Sequence, residues 1–255
     1  MKKLFPILLL FFILLPLGGI SETITIAADP WLPYTGNLKQ GKVGYLIEIA
    51  QAVFESHGIK VEYKTLPWTR AVEEGRKGTL DAIAGAYKTD APDFVFSGKS
   101  EGISIEYFYA LPGKSWRFKG ASSLEEISLG VANGYSYGEI IDTYIQKNQS
   151  NPKRVQAVSG EDPLYQNLMK LQKGRIDALL ESKNVVDYLI QDRKLELHLE
   201  TVGVNGSHEV YIAFSPKNSK SPLYAKLLQE GVEKLRSSGK LKTILDSYGI
   251  KDWVP

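Results

Sequence analysis

Five side chains suited to binding a small solute lie next to predicted strands and helices. Trp31 and Tyr34 follow the first predicted strand, Trp68 and Arg70 precede the second predicted helix, and Lys88 follows a later strand. Aromatic rings can stack on a solute, and Arg and Lys can attract an anionic group. Ligands bind at the carboxyl ends of strands in open α/β sheets. We therefore expect these side chains to face a cleft, with packing at strand ends and solvated loops as the alternative roles.

A second set of polar side chains lies later in the chain. Ser136 and Tyr137 belong to a turn before a predicted helix, where free backbone N–H groups and a hydroxyl can receive an anion, although Ser136 could instead only cap the helix. Glu181 ends a predicted buried strand, where a carboxylate is costly unless it is paired. Glu181 is therefore a candidate partner for a ligand cation, with Lys183 as the alternative partner.

The sequence favours binding over catalysis. His57, His198 and His208 fall in separate segments without a shared motif, and neither a Ser/His/Asp spacing nor a metal-ligand spacing is present. The chain contains no Cys, which excludes a disulfide framework and lipid attachment through Cys. We expect neither a cofactor nor a metal ion.

A repeated stretch indicates how the chain positions these residues. KGTLDAIA at 77–84 and KGRIDALL at 173–180 each follow a helical pattern and lead into an apolar run. In each copy Gly would take the left-handed conformation that ends a helix, and Asp would turn the chain into a buried strand. The repeat predicts two similar α/β units, and a cleft between two units is the default place for a small ligand.

The rest of the pattern predicts alternating strands and helices. Apolar residues in 44–58 recur at helical spacing, and an apolar run at 103–111 could cross to the second unit. Further strands are predicted at 127–132, 155–158, 195–202 and 209–214, and further helices at 71–77, 185–191, 222–237 and 241–248, with a helix through Lys147 that follows the turn at 133–138.

The N-terminus has the composition of an export signal. Lys2 and Lys3 precede an apolar run at 4–17, and small residues follow at Gly19 and Ser21. We expect residues 1–21 to be removed and the mature protein to be exported, with a membrane anchor as the alternative. Without Lys2 and Lys3, the 31 basic side chains become 29, equal to the 29 acidic ones, so we expect no nucleic-acid partner.

Six stretches resemble the type II periplasmic solute-binding proteins, in particular family 3, the polar amino-acid receptors of ABC transporters. The resemblance covers nearly all of residues 22–253. The stretches are VGYLIEIAQAVF at 43–54, PWTRAVEEGRKGTLDAI at 67–83, VFS at 95–97, LGVANGYSYGE at 129–139, LQKGRIDALLES at 171–182 and EKLRSSGKLKTILDSYGI at 233–250.

This resemblance implies a two-lobed α/β fold with two crossover strands. Lobe 1 would comprise residues 22–104 and 208–255, and lobe 2 residues 105–207. The lobes would close over a small polar solute in the cleft, and the bound form would dock on a membrane ABC permease. We expect a monomer.

The resemblance also assigns contacts with the ligand. The aromatic residue that stacks on the ligand would be Trp31 or Tyr34, and the polar contacts of lobe 1 would lie near Gly85, Ala86 and Lys88. The polar contacts of lobe 2 would lie at Ser136, with Tyr137 beside it. The acid that receives an ammonium group of the ligand would be at Glu181 or Ser182.

The chain departs from the family pattern at the residue that holds the α-carboxylate and at the residue that receives the ammonium group. Where amino-acid receptors carry an Arg a few residues after a Thr to hold the α-carboxylate, this chain has TDAPD at 89–93. A charge-assisted hydrogen bond is worth about 1.5–3 kcal/mol, so this loss is large unless Arg70 or Lys88 replaces the clamp. In the best register, Ser182 stands where the family has Asp, with Glu181 one position earlier.

Two other functions are compatible with this fold. Some exported dehydratases of prephenate-like substrates resemble these receptors, and Glu181 would be the general acid of such an enzyme. A ligand-sensing module that acts through a separate membrane partner is the other alternative.

Overall fold

The computed structural model describes residues 22–160 and 162–254. The first α/β unit contains three strands and two helices. β1 pairs in parallel with β2 on one side and with β3 on the other, so β1 is central. The elements are β1 (Thr23–Ala28), α1 (Tyr45–Glu55), β2 (Lys60–Thr65), α2 (Trp68–Lys77) and β3 (Ala82–Ala86).

A long strand, β4 (Gly102–Ala110), leads into a second unit that repeats this plan. β5 pairs in parallel with β6 and with β7, so β5 is central in the same way. The elements of this unit are β5 (Leu129–Ala132), α3 (Glu139–Asn148), β6 (Val155–Val158), α4 (Pro163–Gln172) and β7 (Ala178–Ser182).

The repeated stretch confirms its predicted role in both units. Gly78 and Gly174 have φ values of 83° and 65°, in the left-handed region where a Cβ atom is strained. Asp81 Oδ2 accepts the N–H of Thr25 (2.8 Å), and Asp177 Oδ2 accepts the N–H of Ser128 (3.0 Å). Each Asp therefore ties the end of a helix to the neighbouring strand.

The chain then continues through α5 (Lys183–Asp192) and the 15-residue strand β8 (Glu200–Phe214), and ends with α6 (Ser221–Ser237) and α7 (Lys240–Ser247). All eight strands form one curled sheet in the order β2-β1-β3-β8-β4-β7-β5-β6. We call β2, β1 and β3 the first half of the sheet, and β7, β5 and β6 the second half.

β4 and β8 connect the two halves as an antiparallel pair. β8 pairs with β4 from Glu200 to Val210 and with β3 from Tyr211 to Phe214. The register shifts twice along the β4–β8 pair, between Glu106 and Tyr107 and between Phe108 and Tyr109. Such bulges interrupt the hydrogen-bond ladder and bend the strands locally.

The sequence prediction of two separate strands at 195–202 and 209–214 is wrong. Residues 195–199 lie outside any strand, and β8 runs without a break through Gly203 and Gly206. The glycine at 203 allows the strand to continue beneath a neighbouring loop, since a Cβ atom there would lie 2.5 Å from Phe118 Cβ.

The C-terminal helices pack on the first half of the sheet. Phe54 of α1, Phe214 of β8 and Tyr224 of α6 form a buried aromatic cluster with ring centroids 5.8–6.2 Å apart. α1 and α6 approach closely at Gly231, where a Cβ atom would lie 2.5 Å from the Val53 methyl groups.

The predicted export signal at residues 1–21 lies outside the described residues. Within 22–160 and 162–254, every helix is too short or too polar to span a bilayer.

Candidate functional site

A cavity of about 20 Å³ lies where the two halves of the sheet meet. The first half contributes residues after β1, at the start of α2 and in or after β3, while β4, β7 and the turn after β5 contribute the rest. The lining residues are Asp29, Trp31, Thr35, Trp68, Ala84, Gly85, Tyr87, Asp90, Glu106, Tyr135, Ser136 and Glu181. We call this space the cleft cavity.

Trp31 joins the two halves. It follows β1 in a tight turn in which its N–H donates to the carbonyl of Thr35 (2.8 Å). Its ring stacks on Tyr34 with centroids 4.2 Å apart and an interplanar angle of 19°. Its indole Nε1–H donates to Oε1 of Glu181 (3.0 Å), 150 residues later in the sequence. The turn therefore fixes the indole where it contacts the second half.

Glu181 lies in β7 and is only 5% exposed. Its Oε1 also accepts the backbone N–H of Ser182 (2.7 Å), whereas its Oε2 accepts no hydrogen bond from the described residues. Burial raises the pKa of Glu181 to about 7, although the bonds from Trp31 and Ser182 oppose this rise.

Asp29 provides a second link between the halves. The hydroxyl of Tyr135, in the turn after β5, donates to Asp29 Oδ2 at 2.5 Å. Asp29 is 8% exposed, and burial raises its pKa to about 6 against the opposing effect of Tyr135. Both links thus join a side chain that follows β1 to a side chain of the second half.

Two more carboxylates complete an acidic lining. Oδ2 of Asp90 accepts the N–H of Tyr87 (2.7 Å), and burial raises the pKa of Asp90 to about 7. Glu106, on β4, accepts hydrogen bonds from the Tyr87 hydroxyl (3.0 Å) and from Asn205 Nδ2 (2.8 Å). His208 Nε2 lies 3.4 Å from Glu106 Oε2, and this carboxylate raises the pKa of the imidazole.

Five of the predicted site residues line the cleft cavity: Trp31, Trp68, Gly85, Ser136 and Glu181. Four others are buried behind it. The Tyr34 hydroxyl donates to the carbonyl of Ile103 (2.7 Å), and the Tyr137 hydroxyl accepts the N–H of Ala132 (2.8 Å). Ala86 and Ser182 are fully buried in their strands.

The two predicted cationic contacts do not line the cavity. Arg70 lies on the outer face of α2, with its side chain 64% exposed, and its Nε donates to Glu74 one turn later (2.6 Å). Lys88 is exposed, and its Nζ lies 4.7 Å from the centre of the Tyr211 ring. Each cation is therefore held by a neighbour outside the cleft, so neither replaces the missing Arg in this structure.

In the turn before α3, two of the donors that the sequence predicted for an anion bond to an acceptor within the chain. Asp142, in the first turn of the helix, accepts the Ser136 hydroxyl (2.7 Å) and the Tyr137 N–H (2.7 Å). α3 begins at Glu139, and its N-cap is Gly138 instead of Ser136. Ser136 still faces the other half, since the Thr89 hydroxyl lies 3.5 Å from its own.

Sequence reasoning missed seven residues of the lining: Asp29, Thr35, Ala84, Tyr87, Asp90, Glu106 and Tyr135. Two of them carried a usable signal. Asp29 directly follows a strand and precedes a proline, and Glu106 is the single charged residue in the apolar run at 103–111. A lone charge in a buried strand needs a partner, as Glu181 does.

A second cavity of about 150 Å³ adjoins the first. Trp31, Tyr135 and Glu181 line both cavities and so form the wall between them. Arg193 also lines this second cavity, where it pairs with Asp162 and lies over the Tyr165 ring.

Among the residues that the structure describes, no group of three or more His, Asp or Glu side chains is arranged to hold a metal ion.

Several solved structures share this fold. The chain superposes on a putative L-cystine ABC transporter protein from Listeria monocytogenes with a TM-score of 0.71 and 19% identity, covering 89% of this chain and 95% of that one. A substrate-binding protein of an ABC uptake transporter from Streptococcus pneumoniae, solved with bound histidine, gives a TM-score of 0.69 and 23% identity over 89% and 92%. A histidine kinase sensor domain similar to periplasmic binding proteins gives a TM-score of 0.71 and 19% identity over 90% and 98%.

The curled sheet and its two crossing strands are thus those of type II periplasmic binding proteins. Residues 24–251 match the family model of the bacterial extracellular solute-binding proteins, family 3, and the chain belongs to that family. The predicted fold class and family are therefore confirmed. A comparison with curated protein sequences found no match.

Proposed function

We propose that this protein is an exported receptor that captures a small polar solute in the cleft cavity and delivers it to a membrane ABC permease. The observation that carries this proposal is the direct bond between Trp31 and Glu181, which joins the two halves at a shared cavity. A solute bound there contacts both halves, so it stabilises the closed arrangement. The family assignment supports solute binding as the role of this cavity.

The halves must separate before a solute can bind. A space of about 20 Å³ holds roughly one water molecule, which is much smaller than an amino acid. The bulged β4–β8 pair is the connection between the halves at which such a motion can bend the chain. In this proposal lobe 1 is residues 22–104 and 208–255, lobe 2 is residues 105–207, and the mature protein is a periplasmic monomer that begins near Ser21.

We propose binding without turnover. The raised pKa of Glu181 would suit a general acid, as a prephenate-like dehydratase requires. Prephenate, however, carries two carboxylates, and the cavity presents four of its own: Asp29, Asp90, Glu106 and Glu181. Like charges repel one another in a buried site, so this lining disfavours a dianionic substrate.

Calorimetry of the purified protein against amino acids, organic acids, amines and prephenate tests the proposal. We expect saturable binding of one solute per chain, a decrease in the radius of gyration on binding, and unchanged solute recovered afterwards. Recovery of a dehydrated product would establish catalysis, and an absence of binding across all four classes would refute the receptor assignment. Solute uptake by proteoliposomes that contain the permease distinguishes transport from sensing.

A further inference from the structure

We infer that the cleft receives a small organic cation, an amine or a guanidine, that carries no carboxylate of its own. This inference rests on the proposed function and specifies the solute. Its first support is the charge of the lining, because Asp29, Asp90, Glu106 and Glu181 come from four different parts of the chain and meet at one cavity. Carboxylates gathered at one site repel one another unless protons or a cation neutralise them, and a cation allows them to stay ionised.

The protein supplies little positive charge to offset them. The described lining contains no Lys, Arg or His, and Asp29, Asp90 and Glu181 form no ion pair among the described residues. His208 contacts Glu106 from outside the cavity. Arg70 and Lys88 are held elsewhere, and Arg193 on the adjacent cavity pairs with Asp162. Apart from protons on the carboxylates themselves, a ligand is the remaining source of compensating charge.

One of the carboxylates, that of Glu181, has an oxygen that is free to accept a bond from a ligand. Glu181 is 5% exposed, and its Oε2 accepts no hydrogen bond from the described residues. Asp29 is 8% exposed, and its carboxylate accepts bonds from the Tyr135 hydroxyl and from its own backbone N–H. Glu181 Oε2 is not among the fully buried side-chain atoms that lack a partner, so it is accessible from the cavity that Glu181 lines and can accept a bond from a ligand donor.

Four aromatic side chains also belong to the walls of the cavity. Trp31, Trp68, Tyr87 and Tyr135 line it together with the carboxylates. Faces of Trp and Tyr rings attract ammonium and guanidinium groups, and most strongly where water is excluded. The α-carboxylate of an amino acid, in contrast, would lie among four carboxylates without a cationic partner. The lining therefore selects against a zwitterion and for a simple cation.

Matched pairs of solutes that differ only by the carboxylate test this inference. Lysine is compared with its decarboxylated analogue cadaverine, and arginine with agmatine, by calorimetry on the purified protein. We expect cadaverine or agmatine to bind at least tenfold more tightly than its parent amino acid. Tighter binding of the parent in both pairs, or tighter binding of an organic acid, would overturn the cation assignment while leaving the receptor assignment intact.

Isosteric amide variants test whether the carboxylates of Glu181 and Asp29 bind the cation. Glu181→Gln and Asp29→Asn should each weaken binding of the tighter-binding cation at least tenfold. Glu62→Gln, which removes an exposed carboxylate 3.1 Å from Lys64 on β2, is the matched control and should bind as the parent does. Thermal melts of each variant identify any loss of folding. Unchanged cation affinity in both folded cleft variants would contradict the inference, and so would binding of no cation at all.

Discussion

Glu181, the proposed binding residue, illustrates how a buried carboxylate can lower the stability of a protein. Its carboxylate is buried, and one of its oxygens lacks a partner among the described residues. Burial of an uncompensated charge raises its pKa to about 7, from an ordinary value of 4.5. Because the folded state holds this proton more tightly, the stabilising contribution is complete below about pH 4.5 and is lost as the pH rises through 7.

We therefore expect Glu181→Gln to stabilise the ligand-free protein at pH 8. The amide oxygen can still accept the bonds from Trp31 and Ser182, while the cost of the buried charge disappears. Each unit of pKa difference corresponds to about 1.4 kcal/mol, so the gain should be on the order of a few kcal/mol. Urea unfolding of both proteins at pH 8 and pH 4.5 measures this gain in the free energy of unfolding. An equal or larger gain at pH 4.5 would show that the charge is not its cause.

The hydrogen bond from Trp31 to Glu181 leads to a second prediction. Trp31→Phe keeps an aromatic ring against Tyr34 but removes the N–H that bonds Glu181. A hydrogen bond to a charged group contributes about 1.5–3 kcal/mol, so the closed arrangement should weaken by that order. The protein should scatter X-rays as a more open particle, and solute affinity should fall about tenfold.

Trp116→Phe is the matched control for this variant. Its indole N–H bonds the carbonyl of Ser123 (2.8 Å), away from the cleft, so its loss should reduce stability without changing the open fraction or the affinity. Equal effects of the two variants on affinity would mean that Trp31 acts only through overall stability.

The sequence identified some cleft residues because their local setting was unusual. Glu181 was found as a carboxylate at the end of an apolar strand, and Trp31 as an aromatic residue between prolines after a strand. Arg70 had no such setting, since a helix of this composition offers Glu74 one turn away as a simpler partner. The charge of the lining was missed because it arises only when four distant segments meet.

The two copies of the repeat end α2 and α4 with a glycine in the same backbone conformation, but the two glycines have different neighbours. Gly78 and Gly174 both have left-handed φ values. A Cβ atom at Gly78 would lie 2.8 Å from Lys217 Cβ, whereas one at Gly174 meets no atom within 4 Å. The two positions therefore separate backbone strain from steric crowding.

We expect Gly174→Ala to destabilise the protein by about 1–2 kcal/mol, the cost of a left-handed residue that carries a side chain. Gly78→Ala should cost more, by about another 1–3 kcal/mol, because the backbone near Lys217 must also move. Urea midpoints of both variants measure the difference. The explanation is wrong if Gly174→Ala is the more destabilising change.

Local patterns predicted most elements of the two units. A helix stop, an Asp and an apolar run occur together twice, and the structure gives both copies the same hydrogen bond to a neighbouring strand. The patterns failed at β8, because Gly203 and Gly206 lie within a strand that pairs with β4 over most of its length. That pairing is a long-range contact, which no short window of sequence contains.

At the scale of the whole molecule, buried carboxylates should make the stability of the ligand-free protein depend on pH. Burial raises the pKa values of Asp29 to about 6, of Asp90 and Glu181 to about 7, and of Glu101 to about 8. In each case the folded state binds the proton more tightly than the unfolded state, so stability is highest near pH 4–5 and falls as the pH rises to 8.

Thermal melting between pH 4.5 and pH 8 tests this expectation. The melting temperature should decrease across this range in the absence of solute, and a saturating bound cation should reduce the decrease because it stabilises the ionised carboxylates. Exposed acids such as Glu22 and Asp93 have lowered pKa values and so titrate below this window. A melting temperature that rises toward pH 8 without solute would contradict the assignment of these groups.

The family resemblance predicted the architecture of the molecule but not the character of its cleft. The order of the elements and the two crossing strands follow from motifs that lie within single segments. The identity of the solute depends instead on which side chains enter a shared space and which turn outward. Arg70 and Lys88 turn outward, whereas Asp29 and Glu106 turn inward.

The small volume of the cleft cavity has a kinetic consequence. Because the cleft cavity measures about 20 Å³ in this arrangement, we expect a guest to be admitted during excursions to a more open form. Stopped-flow traces should then show an observed rate that levels off as guest concentration increases, with a ceiling equal to the rate at which the closed form opens. The slow step of uptake would belong to the empty receptor and would be shared by every guest it accepts.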